Sequence, residues 1–305
     1  MLRGVLLKVA STLAFMLMAT LVKLLSDRFP VGEITFARSF FALVPVAVWA
    51  AAQGGLRTVF RTSRPGAHLT RSLVGVTAMF LGFAALARLP LADSTAISFT
   101  APLITVALAA LILHEQVRIY RWSAVAIGFV GVLIILSGYA EEGAADRSVL
   151  GAAFQLAAAA GVALVSIQIR HMTRTEPAAT IVIYFSIFST LVALLTVPFG
   201  WAMPTATEAA ALLAIGILGG IGQVTMTESF RHADASLLAP FDYVSLIWAL
   251  AISVIVFGTL PTGTMLTGAA VVIAAGLFVL YRERQLRIAR RKAGEIPPAM
   301  PGATP

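Results

Sequence analysis

The sequence predicts an all-α integral membrane protein, with ten transmembrane helices arranged as two inverted five-helix repeats. Three observations carry this. Hydrophobic residues make up 59% of the 305-residue chain and charged residues only 12%, against about 25% charged in ordinary soluble domains. The apolar residues fall in runs of about 20, the length that crosses a bilayer as a helix. And the stretch from Phe83 to Leu136 is echoed, weakly in identity but closely in layout, by Phe230 to Leu280.

Each copy is two long apolar segments with a short turn-forming joint between them, as in duplicated transporter halves. Asp93 matches Asp234 at one offset, while Leu133 and Leu136 match Leu277 and Leu280 at an offset three residues larger. Strands are excluded because the runs are long, rich in Ala, Leu and Val, and lack period-two alternation.

In chain order the expected spans are 4–25, 33–52, 67–87, 92–113, 120–138, 149–169, 178–200, 207–230, 235–258 and 263–281. The start resembles a signal peptide, but its apolar run continues to Leu25, so it reads as a retained first helix. Residues 1–140 form the first repeat, 141–148 an acidic linker, 149–282 the second repeat, and 283–305 a basic, partly disordered cytoplasmic tail. With the N-terminus in the cytoplasm, sixteen Lys and Arg fall inside, among them Arg57, Arg118 and Arg174, and three outside: Arg28, Arg88 and Arg147. That asymmetry places both ends inside. Five spans per half is odd, so the second half enters the membrane upside down. The basic joints after spans two and four have uncharged counterparts after spans seven and nine, as inversion requires.

The net charge of +8 sits in joints and tail, which speaks for anionic lipid and against nucleic acid. There is no Cys, and the four His lie at joints without metal spacing, so no metal or cofactor is expected. No Walker loop and no G-x-S-x-G motif appears, which argues against an ATP-driven pump and a serine hydrolase.

Ionisable residues within spans are functional candidates by default. Asp242 lies about eight residues, or roughly 12 Å, into span nine. It shares a small, polar helix face with Ser245, Ala249 and Ser253, just after Pro240, which should unwind or kink the helix. It reads either as a substrate- or proton-binding carboxylate or as the partner of a buried arginine. Glu228, near Arg231 and Asp234, either snorkels to the interface or meets substrate. Gln223 and Thr227 form an i, i+4 pair that lines a cavity or bonds a neighbouring helix. Ser94, Ser98, Pro102 and Thr105 make the matching stripe in span four, with Pro102 as the expected break. Arg38 and Arg71 could each neutralise a carboxylate, with an interface anchor the favoured role for Arg71. Lys23 and Glu33 flank the first outer joint, where a surface ion pair would contribute little. Tyr184, Tyr243 and Trp248 are span aromatics with polar handles. Tyr243 and Trp248 lie deeper than an aromatic belt requires and could stack on a flat ligand ring. Gly216 and Gly220 make a GxxxG, a sign of close helix packing.

The chain resembles the EamA type of drug/metabolite transporter over residues 1 to about 285. The resemblance rests on the duplicated ten-span layout and on RSFFAL, LPLADSTAISFTAPL, LILHEQV, RHADASLLAPFDYVSLIWA and FGTLP. At the joint before the last span of each half, where the family commonly has Gly-Glu, this chain keeps Glu115 after His114 and Gly258 before Thr259. The resemblance implies secondary transport of a small-molecule substrate through a central cavity in a bacterial inner membrane, with protons as candidate coupling ions. A homodimer is compatible with the sequence but not demanded by it. APFDYVSLIWA is most similar to the branch holding riboflavin transporters and S-adenosylmethionine carriers. Riboflavin uptake is the expectation, with the ring on Tyr243 and Trp248 and the ribityl hydroxyls on Ser245, Ser98 and Gln223. The alternatives are an S-adenosylmethionine or amino-acid carrier, in either direction. A membrane-embedded enzyme would need clustered reactive groups, whereas the carboxylates here are dispersed. A non-transporting membrane subunit would lack a cavity reached from both sides in turn.

Overall fold

The computed structural model describes residues 2–52, 59–112, 119–141, 145–172, 175–233 and 235–292. Arg57, His114, Glu115, Arg118, Arg174, Asp234, the middle of the acidic linker and the tail beyond residue 292 lie outside the described residues. The described elements are all helical. They are α1 (Leu2–Leu25), α2 (Val31–Ala52), α3 (Pro65–Leu86), α4 (Leu91–Ser98), α5 (Ala101–Ile112), α6 (Ile119–Glu141) and α7 (Ala145–Met172). After them come α8 (Ala178–Leu194), α9 (Ala206–His232), α10 (Ala235–Leu238), α11 (Val244–Ile255) and α12 (Gly263–Lys292). A five-residue 3₁₀ turn, Ala239–Tyr243, joins α10 to α11.

Local chemistry fixes the ends. Pro65 stands in the first turn of α3, and α4 and α8 start directly after Pro90 and Pro177, where a preset φ helps and a missing N–H costs nothing. A capping box of Thr205 and Glu208 opens α9. Gly200 and Gly258 take φ values of 90° and 63° in the turns that follow α8 and α11, a conformation other residues resist.

Seven of these helices are long and apolar enough to cross a membrane alone; α8 and the pairs α4–α5 and α10–α11 supply the other three crossings. Span four, placed over 92–113 with a break expected at Pro102, is two helices. The N–H groups of Phe99 and Thr100 tighten onto Ala96 and Ile97, and Pro102, which cannot bond back into the preceding turn, restarts the helix as α5. Span nine is likewise interrupted, at Ala239–Pro240. The last span continues past Tyr281 without a break to Lys292, so the basic segment is an extension of α12.

The packing respects the duplication. Helix α1 packs on α9 as α3 packs on α7, and α2 on α9 as α3 on α8. The pairs α2–α8, α4–α11 and α6–α12 are each their own counterpart. Exchanging the halves therefore maps these pairings onto themselves. The GxxxG of α9 seats α2: a Cβ on Gly216 would lie 2.6 Å from the Ala37 carbonyl oxygen, and one on Gly220 2.9 Å from that of Ala42.

The apolar core differs between the two ends of the bundle. At the end away from the N-terminus it is one body, running from Met18 and Val22 through Phe29, Leu89, Ile135 and Ile215 to Met265. At the end that carries the N-terminus the described residues form two separate clusters, one around Val46, Val59 and Ile183, the other around Leu103, Val125 and Val279.

Candidate transport site

The breaks in spans four and nine meet at the centre. Phe99, the last residue before the first gap, packs edge-on to Tyr243 at the end of the 3₁₀ turn, with ring centroids 4.9 Å apart. Tyr243 in turn lies against α12, where a Cβ on Gly276 would overlap its hydroxyl. Hydroxyls close the loosened backbone of the first break: Ser98 donates to the Thr95 carbonyl at 2.6 Å and Thr100 to Ile97 at 2.8 Å. Thr105 donates to Ala101, and Ser94 crosses between the halves to Gln155 Oε1 at 2.9 Å. Pro102 is exposed at the start of α5.

The second break is charged. Asp242 accepts a 2.6 Å salt bridge from Lys8 Nζ; the lysine side chain is 4% exposed and that of Asp242 is 52% exposed. The partner is thus a lysine of the opposite repeat, not a buried arginine. A half-exposed carboxylate within a span faces water, because lipid would penalise it by several kcal/mol. The Lys8 ammonium also lies over Phe230, 5.3 Å from the ring centroid. Trp248 Nε1 donates to Thr12 Oγ1 at 3.3 Å, and Ser245 donates to the Asp242 carbonyl at 2.6 Å. Lys8, Ser11 and Thr12 form a buried polar face of α1, and their i, i+3, i+4 spacing is the sequence signal that marks it. Counted only as a topology charge, Lys8 goes unnoticed as a site residue.

The remaining candidates divide. Glu228 accepts from Trp49 Nε1 and Arg231, each at 2.9 Å. The Thr227 hydroxyl turns back to the Gln223 carbonyl at 2.8 Å, within its own helix. Tyr184 donates to the Phe60 carbonyl at 2.9 Å and stacks on His68 at 4.6 Å, which ties it to the α2–α3 connection, apart from the central break. Beside it Glu176 accepts from Thr62 and from the N–H and hydroxyl of Ser63, with His68 at 3.7 Å. Burial pushes the Glu176 carboxyl up, but these donors outweigh it and hold the group below the usual carboxylate range.

Arg38 and Arg71 form a second charged centre. Arg71 is 5% exposed and Arg38 7%, so neither is an interface anchor. Their guanidinium carbons lie 4.1 and 5.6 Å from the same Phe185 ring centroid. Among the described residues neither makes a hydrogen bond or an ion pair, and Arg71 Nε and Nη1 are buried without a partner. A cation–π contact contributes roughly 0.5–2 kcal/mol, whereas an arginine at the membrane centre costs about 2.5–3.5 kcal/mol even on insertion scales. The ring alone does not offset the charges.

At the far end the halves are stitched together. Arg28 bonds Glu208 at 2.6 Å and Glu33 accepts from Ala202 N–H at 3.0 Å, while within the first half Lys23 donates to the Leu86 and Leu89 carbonyls. The expected Lys23–Glu33 pair does not form. The buried Glu33 spends its charge on a backbone donor. Asp93, buried, accepts from the Tyr139 hydroxyl. Beside Asp93 and Tyr139, against the α11–α12 connection, lies a cavity of about 200 Å³, below the roughly 300 Å³ at which ligand sites begin.

The sequence matches the EamA-like transporter family twice, over residues 2–137 and 149–282. The chain belongs to that family. It is a multi-pass membrane transporter and not an enzyme. Its relatives include an S-adenosylmethionine uptake transporter of Rickettsia bellii, 29% identical over 86% of this chain and 88% of that one. A riboflavin transporter of Vibrio cholerae is 29% identical over 92% and 94%, and a pseudopaline exporter of Pseudomonas aeruginosa is 28% identical over 89% and 94%. A solved crystal structure with 21% identity superposes at a TM-score of 0.66, covering 93% of this chain and 98% of its own; it supports the fold alone.

Proposed function

We propose that this EamA-family member is a secondary-active carrier working by alternating access, with the structure in the state open toward the end that carries the N-terminus. The observation that carries this reading is the core, which is continuous at one end and, among the described residues, split at the other into a cluster on α2 and α8 and a cluster on α5, α6 and α12. Rocking the α2–α8 side against the α5–α6–α12 side would join the two clusters and part the far end. The Lys8–Asp242 pair joins the halves in the present state. Arrival of a ligand or a proton at Asp242 breaks it and permits the switch.

The solute is a small metabolite, as the names of the relatives suggest, and S-adenosylmethionine is the first to test. Riboflavin is the second reading, favoured by the aromatic pair Phe99–Tyr243 at the central break. The indole N–H of Trp248 is already donated to Thr12, so a flavin there would meet the ring face alone.

The test is counterflow in proteoliposomes loaded with unlabelled S-adenosylmethionine or riboflavin and given the labelled compound outside. Transient accumulation of one of them is expected, and Asp242→Asn should abolish it with normal insertion. Spin labels at Ala51 and Tyr281, exposed near the open end, should draw together when the solute is added. A fixed distance together with no counterflow of either compound would overturn alternating access.

A further inference from the structure

We propose that Arg38 and Arg71, with the Phe185 ring that both overlie, form a subsite for a carboxylate of the solute, so that the substrate class is a carboxylate-bearing, amino-acid-like metabolite. Calling the bound molecule a carried solute rests on the carrier reading; the subsite itself rests on charge and burial.

Two guanidinium groups sit more than nine-tenths buried on α2 and α3, with the ring of α8 between their reach. Among the described residues no carboxylate pairs with them. Glu33, Asp93, Glu208, Glu228 and Asp242, the acids of the expected spans, are committed to Ala202, Tyr139, Arg28, Trp49 with Arg231, and Lys8, and Glu176 beside His68 is committed to Thr62 and Ser63. The local charge is therefore positive, in a place where an anion from outside the chain gains most.

The surroundings are shaped to hold these cations and to leave donors spare. A Cβ on Gly75 would fall 2.3 Å from Arg71 Nη1 and 2.9 Å from the Phe185 ring, and one on Gly219 would lie 3.3 Å from Arg38 Nε. Glycines on two helices thus make the room that the guanidinium groups fill. Ser39 next to Arg38, and Ser189 one turn from Phe185, are buried hydroxyls with no hydrogen-bond partner. A planar, two-oxygen anion is what a guanidinium edge matches best. Phosphate sites typically add helix N-termini or nests of backbone N–H groups. Here both arginines lie well inside their helices, which favours a carboxylate.

The experiment measures binding to the purified full-length protein by shifts in thermal midpoint and by titration. The probes are S-adenosylmethionine and L-methionine, each against its decarboxylated counterpart, with riboflavin, inorganic phosphate and chloride as further arms. The expected result is that the carboxylates bind and their decarboxylated partners bind at least tenfold more weakly. Arg38→Gln and Arg71→Gln should each lose at least tenfold in carboxylate affinity. Arg38→Lys and Arg71→Lys, which keep the charge but not the fork, should fall between. If a Gln variant is not monodisperse, the Lys variants carry the test, with a threefold loss or more expected. Equal binding of the decarboxylated compounds, equal protection by phosphate or chloride, absence of any carboxylate binding, or unchanged affinity in the variants would each overturn the subsite. Counterflow on the same preparation separates the two readings. Riboflavin counterflow with carboxylate-independent binding fells the subsite and keeps the carrier. Carboxylate-dependent binding without counterflow keeps the subsite and fells the carrier.

Discussion

At Lys8 and Asp242 the membrane interior holds a cation against its anion, 2.6 Å apart and open to water on the acid's side. At Arg38 and Arg71 it holds two cations against one aromatic ring, closed to water and with no anion among the described residues. The first arrangement is complete as it stands, so disturbing it exposes a defect. The second is incomplete, so disturbing it removes one. A buried pair and a buried vacancy of charge predict opposite responses to the same kind of substitution.

The largest effects belong to the pair. Lys8→Met and Asp242→Asn should each abolish counterflow. Each should also lower unfolding stability by about 2 kcal/mol, somewhat under the 3–5 kcal/mol of a fully buried pair because Asp242 is half exposed. The double variant should regain most of that stability but not transport. Thermal unfolding in detergent reads both, and a double variant no better than its parents would break the pairing. At the other centre the sign reverses. In ligand-free protein, Arg38→Gln or Arg71→Gln removes roughly 2.5–3.5 kcal/mol of charge burial and forfeits about 0.5–2 kcal/mol of cation–π contact. A gain of about 1 kcal/mol is expected, seen as a raised thermal midpoint. A drop as large as that of Lys8→Met would make the two centres alike and end the comparison.

A finer probe is Gly75→Ala. The added methyl meets the Arg71 tip and the Phe185 ring rather than backbone, so both side chains shift and the helix stays. Carboxylate affinity should fall about threefold while the Lys8–Asp242 response to substitution stays as in wild type. The smallest effect lies at the α2–α3 connection. The Glu176 carboxyl is held below its ordinary value of 4.5, so the stability it lends is complete above that pH and drains as pH falls through the depressed value. Glu176→Gln should flatten this acid limb of the thermal midpoint against pH and leave the neutral region alone. An unchanged limb would assign it to another carboxylate.

Legibility in the sequence follows from what the sequence encodes. Span number and the duplication were open to reading because apolar length and repeated layout are properties of the chain itself. The two interruptions were readable because Pro102 and Pro240 remove a donor at a fixed place. Partners across helices were not. Depth says that Arg71 lies a turn or two from a helix end, but not which face it occupies. From depth alone it reads as an anchor, although Phe185 of α8 covers it. Lys8 sits close enough to the N-terminus to count as a topology charge, and only the polar face it shares with Ser11 and Thr12 betrays its burial. Trp248 lay at the right depth for a ligand, but the Thr12 hydroxyl that holds its N–H is 236 positions away. Tyr184 belongs to the connection at Phe60 for the same reason.

The two arginines have an electrical consequence. A charge carried fully across the membrane potential exchanges about 2.3 kcal/mol per 100 mV, and a charge that moves part of the way exchanges a proportionate share. In the proposed cycle an empty carrier reorients with both guanidinium charges uncancelled, a solute that brings only a carboxylate cancels one of them, and an amino acid, whose ammonium travels with its carboxylate, leaves the total unchanged. The current per turnover then reports whether the carboxylate crossed with a cation of its own or without one.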